Sequence, residues 1–317
     1  SNKICMPLLF VLFVLLVIQA LRLPGAVQGL NAFFTPNWSA MMDYKVWLAA
    51  YGHTFFSLSV GFGIMVTYAS YLKPKTNLTG SGLIVGFANA STEILAGIGI
   101  FAALGFMAHA ANSNVQDVVS GGIGLAFIAF PKIISSLGAG ADLFGILFFT
   151  SLFVAGISSM VSILEVPISA MMDKLKWSRK KAVSIIGGGS ALVSIVLFSS
   201  VNSIKLVDII DHFINNIGII GGALLSIICV AWFKRSALVE IRNHVNAIST
   251  VQLGKGWDFT LTVITSLILL ITLGMTIYNL LLKGYGDYSL SLQWLFGWGC
   301  VIFCAVIAFI LTRVKDR

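Results

Sequence analysis

Apolar residues dominate this chain in long runs that are separated by short polar stretches. Eight of the runs are near or above the roughly 20 residues that an α-helix needs to cross a bilayer. They predict eight membrane spans, at residues 4–21, 46–72, 82–107, 143–172, 182–201, 207–233, 259–282 and 290–311. Apolar runs of this length favour membrane helices over strands. The predicted fold class is therefore an all-α membrane protein.

The composition agrees with this interpretation. Of the 317 residues, 58% are hydrophobic and only 10% are charged, whereas a soluble domain has about 25% charged residues. The net charge is +8, but the Lys and Arg residues lie in short loops between the apolar runs. This distribution is typical of membrane topology and not of a nucleic-acid surface. We therefore expect the lipid bilayer as a partner and no nucleic acid.

The stretch 112–140 is also apolar, but several glycines and Pro131 interrupt it, so we interpret it as two short helices. With eight spans, fifteen of the 20 Lys and Arg residues lie on one side of the membrane. A ninth span would move the basic cluster at 177–181 to the other side, against the positive-inside rule. The prediction is one multi-pass domain over residues 1–317 in the cell membrane, with both termini cytoplasmic and an extracellular lid at 108–142.

Polar and flexible residues interrupt the second predicted span. Ser57 and Ser59 are followed by Gly61 and Gly63, and serine and glycine both weaken a helix. A break here would leave backbone carbonyls for a cation and amides for an anion. The residues alone equally allow a continuous helix that uses its small residues for packing.

Two further spans contain polar groups that are costly to bury in lipid without a partner. In the third span Asn89 and Glu93 lie four residues apart, hence on one helical face. Glu93 is either a functional acid or a structural hydrogen-bonding partner. In the fourth span Ser158 and Ser159, with Glu165 further along, favour a face that contacts ions, although serines in such helices also bond their own backbone.

Asp208 and Asp211 begin the sixth span at its predicted extracellular end. A carboxylate there is stabilised by the helix dipole, so each is either a cap or a gating residue. The sequence contains no phosphate-binding glycine loop, zinc-ligand spacing or nucleophile elbow. We therefore predict that the protein is not an enzyme.

Three segments carry a resemblance to a known family. They are FFSLSVGFGIMVTYASY at 55–71, GLAFIAFP at 124–131, and AGISS at 155–159 with DKLKWSRKKA at 173–182. Over nearly its whole length the chain resembles the neurotransmitter:sodium symporter family, bacterial type. The resemblance implies part of the LeuT-type inverted-repeat transporter fold, in which the eight spans correspond to helices 5–12 and the family's first four helices are absent.

The resemblance also implies two sodium sites, each incomplete in this chain. Ser57 and Asn89 match ligands of one sodium ion. The carbonyl of Ala155 and the hydroxyls of Ser158 and Ser159 match the second site. All these groups supply the hard oxygen donors that sodium prefers. The residues that match the substrate pocket are Phe56, Ser57, Ser59, Phe62, Ser159 and Ile163.

Further residues match gating and charge positions of the family. Asp211 matches the extracellular gate acid, and Asp173 matches the intracellular one, near Tyr71. Glu93 stands where chloride-dependent members have serine, so we expect no chloride requirement and expect Glu93 to carry a proton. His53 stands where relatives usually have glutamine. It either titrates near neutrality or replaces the glutamine as a neutral hydrogen-bonding group.

The implied function is sodium-coupled symport of amino acids across the cell membrane. Ser59, Phe62 and Ile163 suggest an apolar or aromatic substrate. Because half of the coordination comes from the absent helices, we expect no transport by this chain alone and expect a separate chain to supply them. The alternative is a non-transporting membrane remnant or a regulatory or assembly subunit. A membrane enzyme or channel finds no supporting motif.

Overall fold

The computed structural model describes residues 2–118, 127, 130–136, 138–200 and 203–314. Within these residues the secondary structure is helical and contains no strand, which confirms the all-α prediction. A short 3₁₀ helix occupies Trp38–Met42. The α-helices of the described residues are α1 (Asn2–Leu21), α2 (Ala26–Phe34), α3 (Tyr44–Ser57), α4 (Ile64–Ser70), α5 (Leu78–Ala110), α6 (Val115–Val118), α7 (Phe130–Ser136), α8 (Ala141–Leu175), α9 (Arg179–Phe198), α10 (Ser203–Phe233), α11 (Arg235–Ile248), α12 (Lys255–Lys283) and α13 (Leu290–Arg313).

Six described helices are long and apolar enough to cross a membrane. They are α5, α8, α9, α10, α12 and α13, with lengths from 20 to 35 residues, and they coincide with the third to eighth predicted spans. A seventh crossing is counted if the pair Phe10–Leu21 and Ala26–Met42, bent by 110°, acts as one span. The second predicted span is divided between α3 and α4, of 14 and 7 residues, so the eight-span topology stays a prediction.

The predicted extracellular lid is only partly covered by the described residues. Its described parts include the short helices α6 and α7, and Pro131 lies in the first turn of α7. The three glycines at 121, 122 and 124, and most of the motif at 124–131, lie outside the described residues. The interpretation of 108–142 as a lid therefore stays a prediction.

The first of two compact units contains Ser1–Trp47 and Ile84–Val161. Its largest buried cluster consists of Leu16, Leu23, Ala103, Phe106, Phe130 and Phe144. In this unit α2 lies directly against α5, and the two backbones come into contact at Gly29 and Gly105. A Cβ atom on Gly29 would stand 1.7 Å from the carbonyl oxygen of Phe101, so only glycine fits at that position.

The second unit contains Leu48–Leu83 and Ser162–Arg317. One buried cluster, centred on Ile209 and Phe213, joins α10 to α12 and α13. A neighbouring cluster of α10 and α12 residues includes Leu224 and Leu269, and α3 packs against it. These clusters make α10 the central helix of the unit, with the second half of α3 on one side of it.

Four π-helical turns interrupt the helices of the second unit. They occupy Ile214–Ile219 and Ile228–Phe233 in α10, Thr260–Thr265 in α12, and Gln293–Trp298 in α13. A π turn uses bonds between residues five apart, so it widens the helix and changes which side chains face a neighbour. Such turns are rare and often occur at functional positions.

Candidate functional site

The helix of the second predicted span is broken. Of the two alternatives that the sequence allowed, a broken helix and a continuous one, the structure has the first. α3 ends at Ser57 and α4 begins at Ile64. Between them the backbone has positive φ angles at Ser59 (52°), Gly61 (83°) and Gly63 (78°). Glycine adopts these angles without steric cost, whereas a residue with a Cβ is strained there by about 1 kcal/mol or more. The glycines therefore permit the break.

The break removes part of the helical hydrogen-bond ladder. The amides of Ser59 and Val60 turn back to the carbonyls of Phe56 and Phe55, at 2.9 and 3.0 Å. The next helical bond runs from the amide of Thr67 to the carbonyl of Gly63, at 2.9 Å. The carbonyls between them, at residues 60–62, belong to neither helix. Peptide oxygens outside a helical ladder are suitable ligands for a cation.

Two predicted substrate-pocket residues meet across the break. The rings of Phe56 and Phe62 are in edge-to-face contact, with centroids 5.6 Å apart. Phe56 is exposed, while Ser57, Ser59 and Phe62 are half-buried. The break thus combines an aromatic pair, two hydroxyls and irregular backbone within a few residues.

Asn89 and Glu93 form the predicted pair on α5. The amide nitrogen of Asn89 donates a hydrogen bond of 2.8 Å to the carboxylate of Glu93, and both residues are half-buried. Because the nitrogen faces Glu93, the side-chain oxygen of Asn89 points away from the acid. The hydrogen bond therefore places the carboxylate of Glu93 directly beside the amide of Asn89.

Ala155, Ser158 and Ser159 lie within little more than one turn of α8. Ala155 and Ser158 are half-buried, and Ser159 is exposed. These residues and Asn89 belong to the first compact unit, whereas Ser57 and Ile163 belong to the second. The grouping of these residues into two sodium sites and one pocket therefore stays a prediction.

A hydrogen-bonded network joins α4, α8 and α9 in the second unit. Both carboxylate oxygens of Glu165 accept bonds from the Arg179 guanidinium, at 2.8 and 2.9 Å. The hydroxyl of Tyr71 donates to Glu165 at 3.0 Å and lies 3.2 Å from the hydroxyl of Ser169. Tyr68 donates to Ser162 at 2.7 Å. Glu165 therefore serves as the anchor of this network.

This network differs from the sequence expectation in one respect. Glu165 was expected on a face that contacts ions, but its carboxylate is occupied by Arg179. Tyr71 was expected near the gate acid Asp173. Its hydroxyl bonds Glu165 and Ser169, the latter one helical turn before Asp173, and the gating role of both Tyr71 and Asp173 stays a prediction. Arg179 belongs to the basic cluster at 177–181, and its place just after the fourth predicted span is the sequence signal for a partner of Glu165.

The two carboxylates of α10 have different surroundings. Asp208 accepts hydrogen bonds from the hydroxyls of Tyr285, at 3.1 Å, and Tyr288, at 2.8 Å. Burial, followed by the negative charge of Asp208, raises the pKa of Tyr285 to about 12. Asp211 is exposed and accepts a bond of 2.8 Å from Asn215. Asp208 is thus a structural anchor for the loop before α13, while Asp211 is accessible, as a gating acid must be.

The remaining predicted charge position is His53. It lies on α3, four residues before Ser57, and its side chain is exposed. This position places the imidazole on the helix that leads into the break. The choice between a titrating and a neutral role for His53 stays open.

Comparisons with known proteins agree with these features. The sequence model of the sodium:neurotransmitter symporter family matches residues 3–315. An uncharacterized sodium-dependent transporter of Methanocaldococcus jannaschii is 40% identical over 315 residues, which are 99% of this chain and 63% of that protein. The sodium- and chloride-dependent glycine transporter 2 of Xenopus laevis is 28% identical over 94% of this chain and 38% of its own length.

A sodium-dependent nutrient amino acid transporter 1, from Drosophila ananassae, is 42% identical over 167 residues, 52% of this chain and 26% of that protein. The chain thus spans less than two thirds of the length of these relatives. The match confirms the predicted recognition and a partial transporter fold, and it places the chain among transporters and not enzymes. This multi-pass membrane protein belongs to the sodium:neurotransmitter symporter family.

Proposed function

We propose that this chain forms the larger part of a transporter that couples the entry of sodium to the uptake of amino acids. The observation that carries the proposal is the break between Ser57 and Ile64, because it supplies main-chain oxygens and hydroxyls within a membrane span. The family match and the names of its relatives as sodium-dependent transporters support the same conclusion.

Sodium binds at two sites in this proposal. Ser57 and the side-chain oxygen of Asn89 hold one ion, and the Ala155 carbonyl with Ser158 and Ser159 holds the other. The hydrogen bond of 2.8 Å between Asn89 and Glu93 supports the first assignment, since it holds an acid beside the proposed sodium ligand. Each of these two groups of residues supplies fewer oxygen atoms than a sodium ion needs. The remaining ligands come from the part of the relatives that this chain does not cover.

The substrate binds beside the break. Phe56 and Phe62 cover its side chain, Ser57, Ser59 and Ser159 bind polar groups, and Ile163 completes the pocket. The edge-to-face pair of Phe56 and Phe62 supports an apolar or aromatic amino acid. One relative is described as a transporter of nutrient amino acids, which agrees with a substrate of this class.

Glu93 makes transport independent of chloride. Its carboxylate supplies, next to the ligand Asn89, the negative charge that an anion otherwise contributes. Return of Glu93 in its protonated form would carry a proton outward in each cycle. The hydrogen bond between Asn89 and Glu93 supports this assignment, because it holds the charge beside the proposed sodium ligand.

Access to the site is controlled from both sides of the membrane. Asp211 contributes to the extracellular gate, and Asp173, together with Tyr71, contributes to the intracellular gate. The network of Glu165 and Arg179 holds Tyr71 in place. Both termini face the cytoplasm, and the protein resides in the cell membrane.

Transport also requires the part of the relatives that this chain does not match. We propose that a separate chain supplies that part. The test is uptake of labelled amino acids into proteoliposomes under an inward sodium gradient. The chain is tested alone and together with the N-terminal segment of the Methanocaldococcus relative. We expect uptake only in the second case, lost in Asn89→Ala, retained in Ser57→Thr, and unchanged when gluconate replaces chloride.

Two results would contradict the proposal. Failure of every tested combination to accumulate any amino acid would favour the alternative, a non-transporting remnant or regulatory subunit. Uptake that continues without a sodium gradient would reject the coupling. A requirement for chloride would reject only the role of Glu93.

A further inference from the structure

A cavity of about 310 Å³ lies in the second unit, where α11 faces the beginning of α12. Its walls are formed by Leu238, Val239, Phe259 and Val263, and its polar lining includes Arg235 and Asp258. None of these residues belongs to the proposed ion, substrate or gate groups. The cavity therefore needs an explanation of its own.

Two π-helical turns lie close to this cavity, and Thr262 and Val263 of the second turn line it. Ile228–Phe233 ends α10, and Thr260–Thr265 lies near the start of α12, and the two turns contact each other. The indole N–H of Trp232 donates to the carbonyl oxygen of Thr262 at 3.0 Å. A carbonyl released from regular α-helical bonding is a consequence of a π turn, and the wider turn leaves space beside it. The bond from Trp232 thus ties the end of α10 to the turn that lines the cavity.

The charges around the cavity leave one cation without a counter-charge. Arg242 forms an ion pair with one carboxylate oxygen of Asp258, and the other oxygen, Oδ1, is buried from solvent without a hydrogen-bond partner. Arg235 forms no ion pair with any residue that the structure describes. Because Asp258 and Arg242 neutralise each other, the cavity has the net positive charge of Arg235.

The elements around the cavity are of the kinds found at a membrane interface. α11 is an amphipathic helix between the spans α10 and α12, and such helices lie in the plane of the membrane interface. Trp232, Phe233 and Phe259 are 59%, 82% and 58% exposed, and exposed aromatic side chains at the ends of spans are typical of that interface.

We propose that this cavity binds a phospholipid with a net negative headgroup. The phosphate pairs with Arg235, and the beginning of one acyl chain lies against Val239, Phe259 and Val263. A free phosphate ion would leave the apolar walls in contact with water, and a lipid with a neutral headgroup would leave the charge of Arg235 without a partner. An anionic lipid pairs its phosphate with Arg235 and covers the apolar walls with its acyl chain. This inference does not depend on the proposed transport function.

Native mass spectrometry of the delipidated full chain tests the proposal, with phosphatidylglycerol, phosphatidylcholine or glycerol phosphate added back. We expect one phosphatidylglycerol to bind preferentially, phosphatidylcholine to bind about five-fold more weakly, and glycerol phosphate not to bind. Arg235→Gln should weaken phosphatidylglycerol binding about five-fold, as expected for one interfacial cation. Lys234→Gln, which removes an equal charge outside the cavity, should change it less than two-fold.

Val263→Trp fills the cavity and should abolish the preferential binding without changing the charge. If Val263→Trp fails to fold by circular dichroism, Val239→Trp replaces it, because Val239 is 40% exposed and tolerates a larger side chain. The proposal is overturned if phosphatidylcholine binds as strongly as phosphatidylglycerol, or if glycerol phosphate binds alone. It is also overturned if Arg235→Gln and Lys234→Gln have equal effects.

Discussion

The ion pair between Glu165 and Arg179 predicts an asymmetric response to substitution. The Glu165 side chain is 12% exposed, whereas that of Arg179 is 58% exposed. Arg179→Gln therefore leaves a mostly buried carboxylate without its counter-charge. Glu165→Gln leaves a guanidinium that water can solvate, and a glutamine that still accepts the hydrogen bond of Tyr71. The first substitution should destabilise the protein more than the second.

The magnitude follows from the burial of the two partners. Removing one member of a fully buried pair costs about 3–5 kcal/mol, and an exposed pair contributes about 0.2–1 kcal/mol. With one buried and one exposed partner, we expect Arg179→Gln to reduce the free energy of unfolding by about 2 kcal/mol, and Glu165→Gln by about 1 kcal/mol. The double variant should be more stable than the sum of the single effects predicts.

The assay is unfolding by sodium dodecyl sulfate in mixed micelles, followed by circular dichroism. Lys180→Gln is the matched control, since Lys180 is the next residue of α9, is exposed, and forms no ion pair with a described residue. Its effect should be within about 0.5 kcal/mol of zero. Equal losses in Arg179→Gln and Glu165→Gln, or strictly additive losses in the double variant, would refute the reasoning.

Three further predictions concern other parts of the second unit. Gly61→Ala should reduce the free energy of unfolding by about 1–2 kcal/mol, because φ at this position is +83°. Gly52→Ala is the control and should not reduce it, because a Cβ at Gly52 would meet open space. Ser249→Ala should reduce the free energy of unfolding by about 1 kcal/mol. The Ser249 hydroxyl accepts hydrogen bonds from the first two amides of α5, at 3.1 and 3.3 Å. Thermal unfolding would measure this loss. Tyr285, with a pKa raised to about 12, stabilises the fold below its ordinary pKa of about 10, and this contribution is lost as the pH rises through 12. Alkaline unfolding should therefore be weaker in Tyr285→Phe than in wild type, and an identical pH dependence would show that Tyr285 does not contribute through a raised pKa.

The helices could be predicted from the sequence because lipid imposes a simple requirement on them. Each span needs about 20 apolar residues, and the run 143–172 accordingly appears as Ala141–Leu175. The break was predictable for a similar reason, since Ser57 to Gly63 combines residues that weaken a helix with residues that tolerate positive φ. The sequence did not decide whether packing against neighbouring helices would keep this segment as a continuous helix.

The partners of the carboxylates could not be predicted in the same way. Asp208 is bonded by Tyr285 and Tyr288, which lie 77 and 80 residues further along the chain. Nothing local in the sequence links these positions, because their contact depends on how α10 packs with the helices around it. The π turns are another example, since each arises from packing between helices and has no composition of its own.

The two halves of the broken helix are attached to different neighbours within the second unit. The end of α3 packs through Tyr51 and Phe55 on the buried cluster of α10 and α12. α4 is instead bonded to α8 through Tyr68 and Tyr71.

The break itself touches both neighbours. A Cβ on Gly61 would stand 3.0 Å from the Cβ of Ala223 in α10, and one on Gly63 would stand 3.0 Å from a methyl carbon of Val166 in α8. Since no helical hydrogen bond crosses residues 60–62, a displacement of α8 with α4 changes the backbone angles of those residues without unwinding either helix. The proposed ligands Ser57 and Ser59 lie directly before this backbone. Movement of α8 would therefore alter the proposed binding site directly, which is the coupling between access and occupancy that the proposed transport requires.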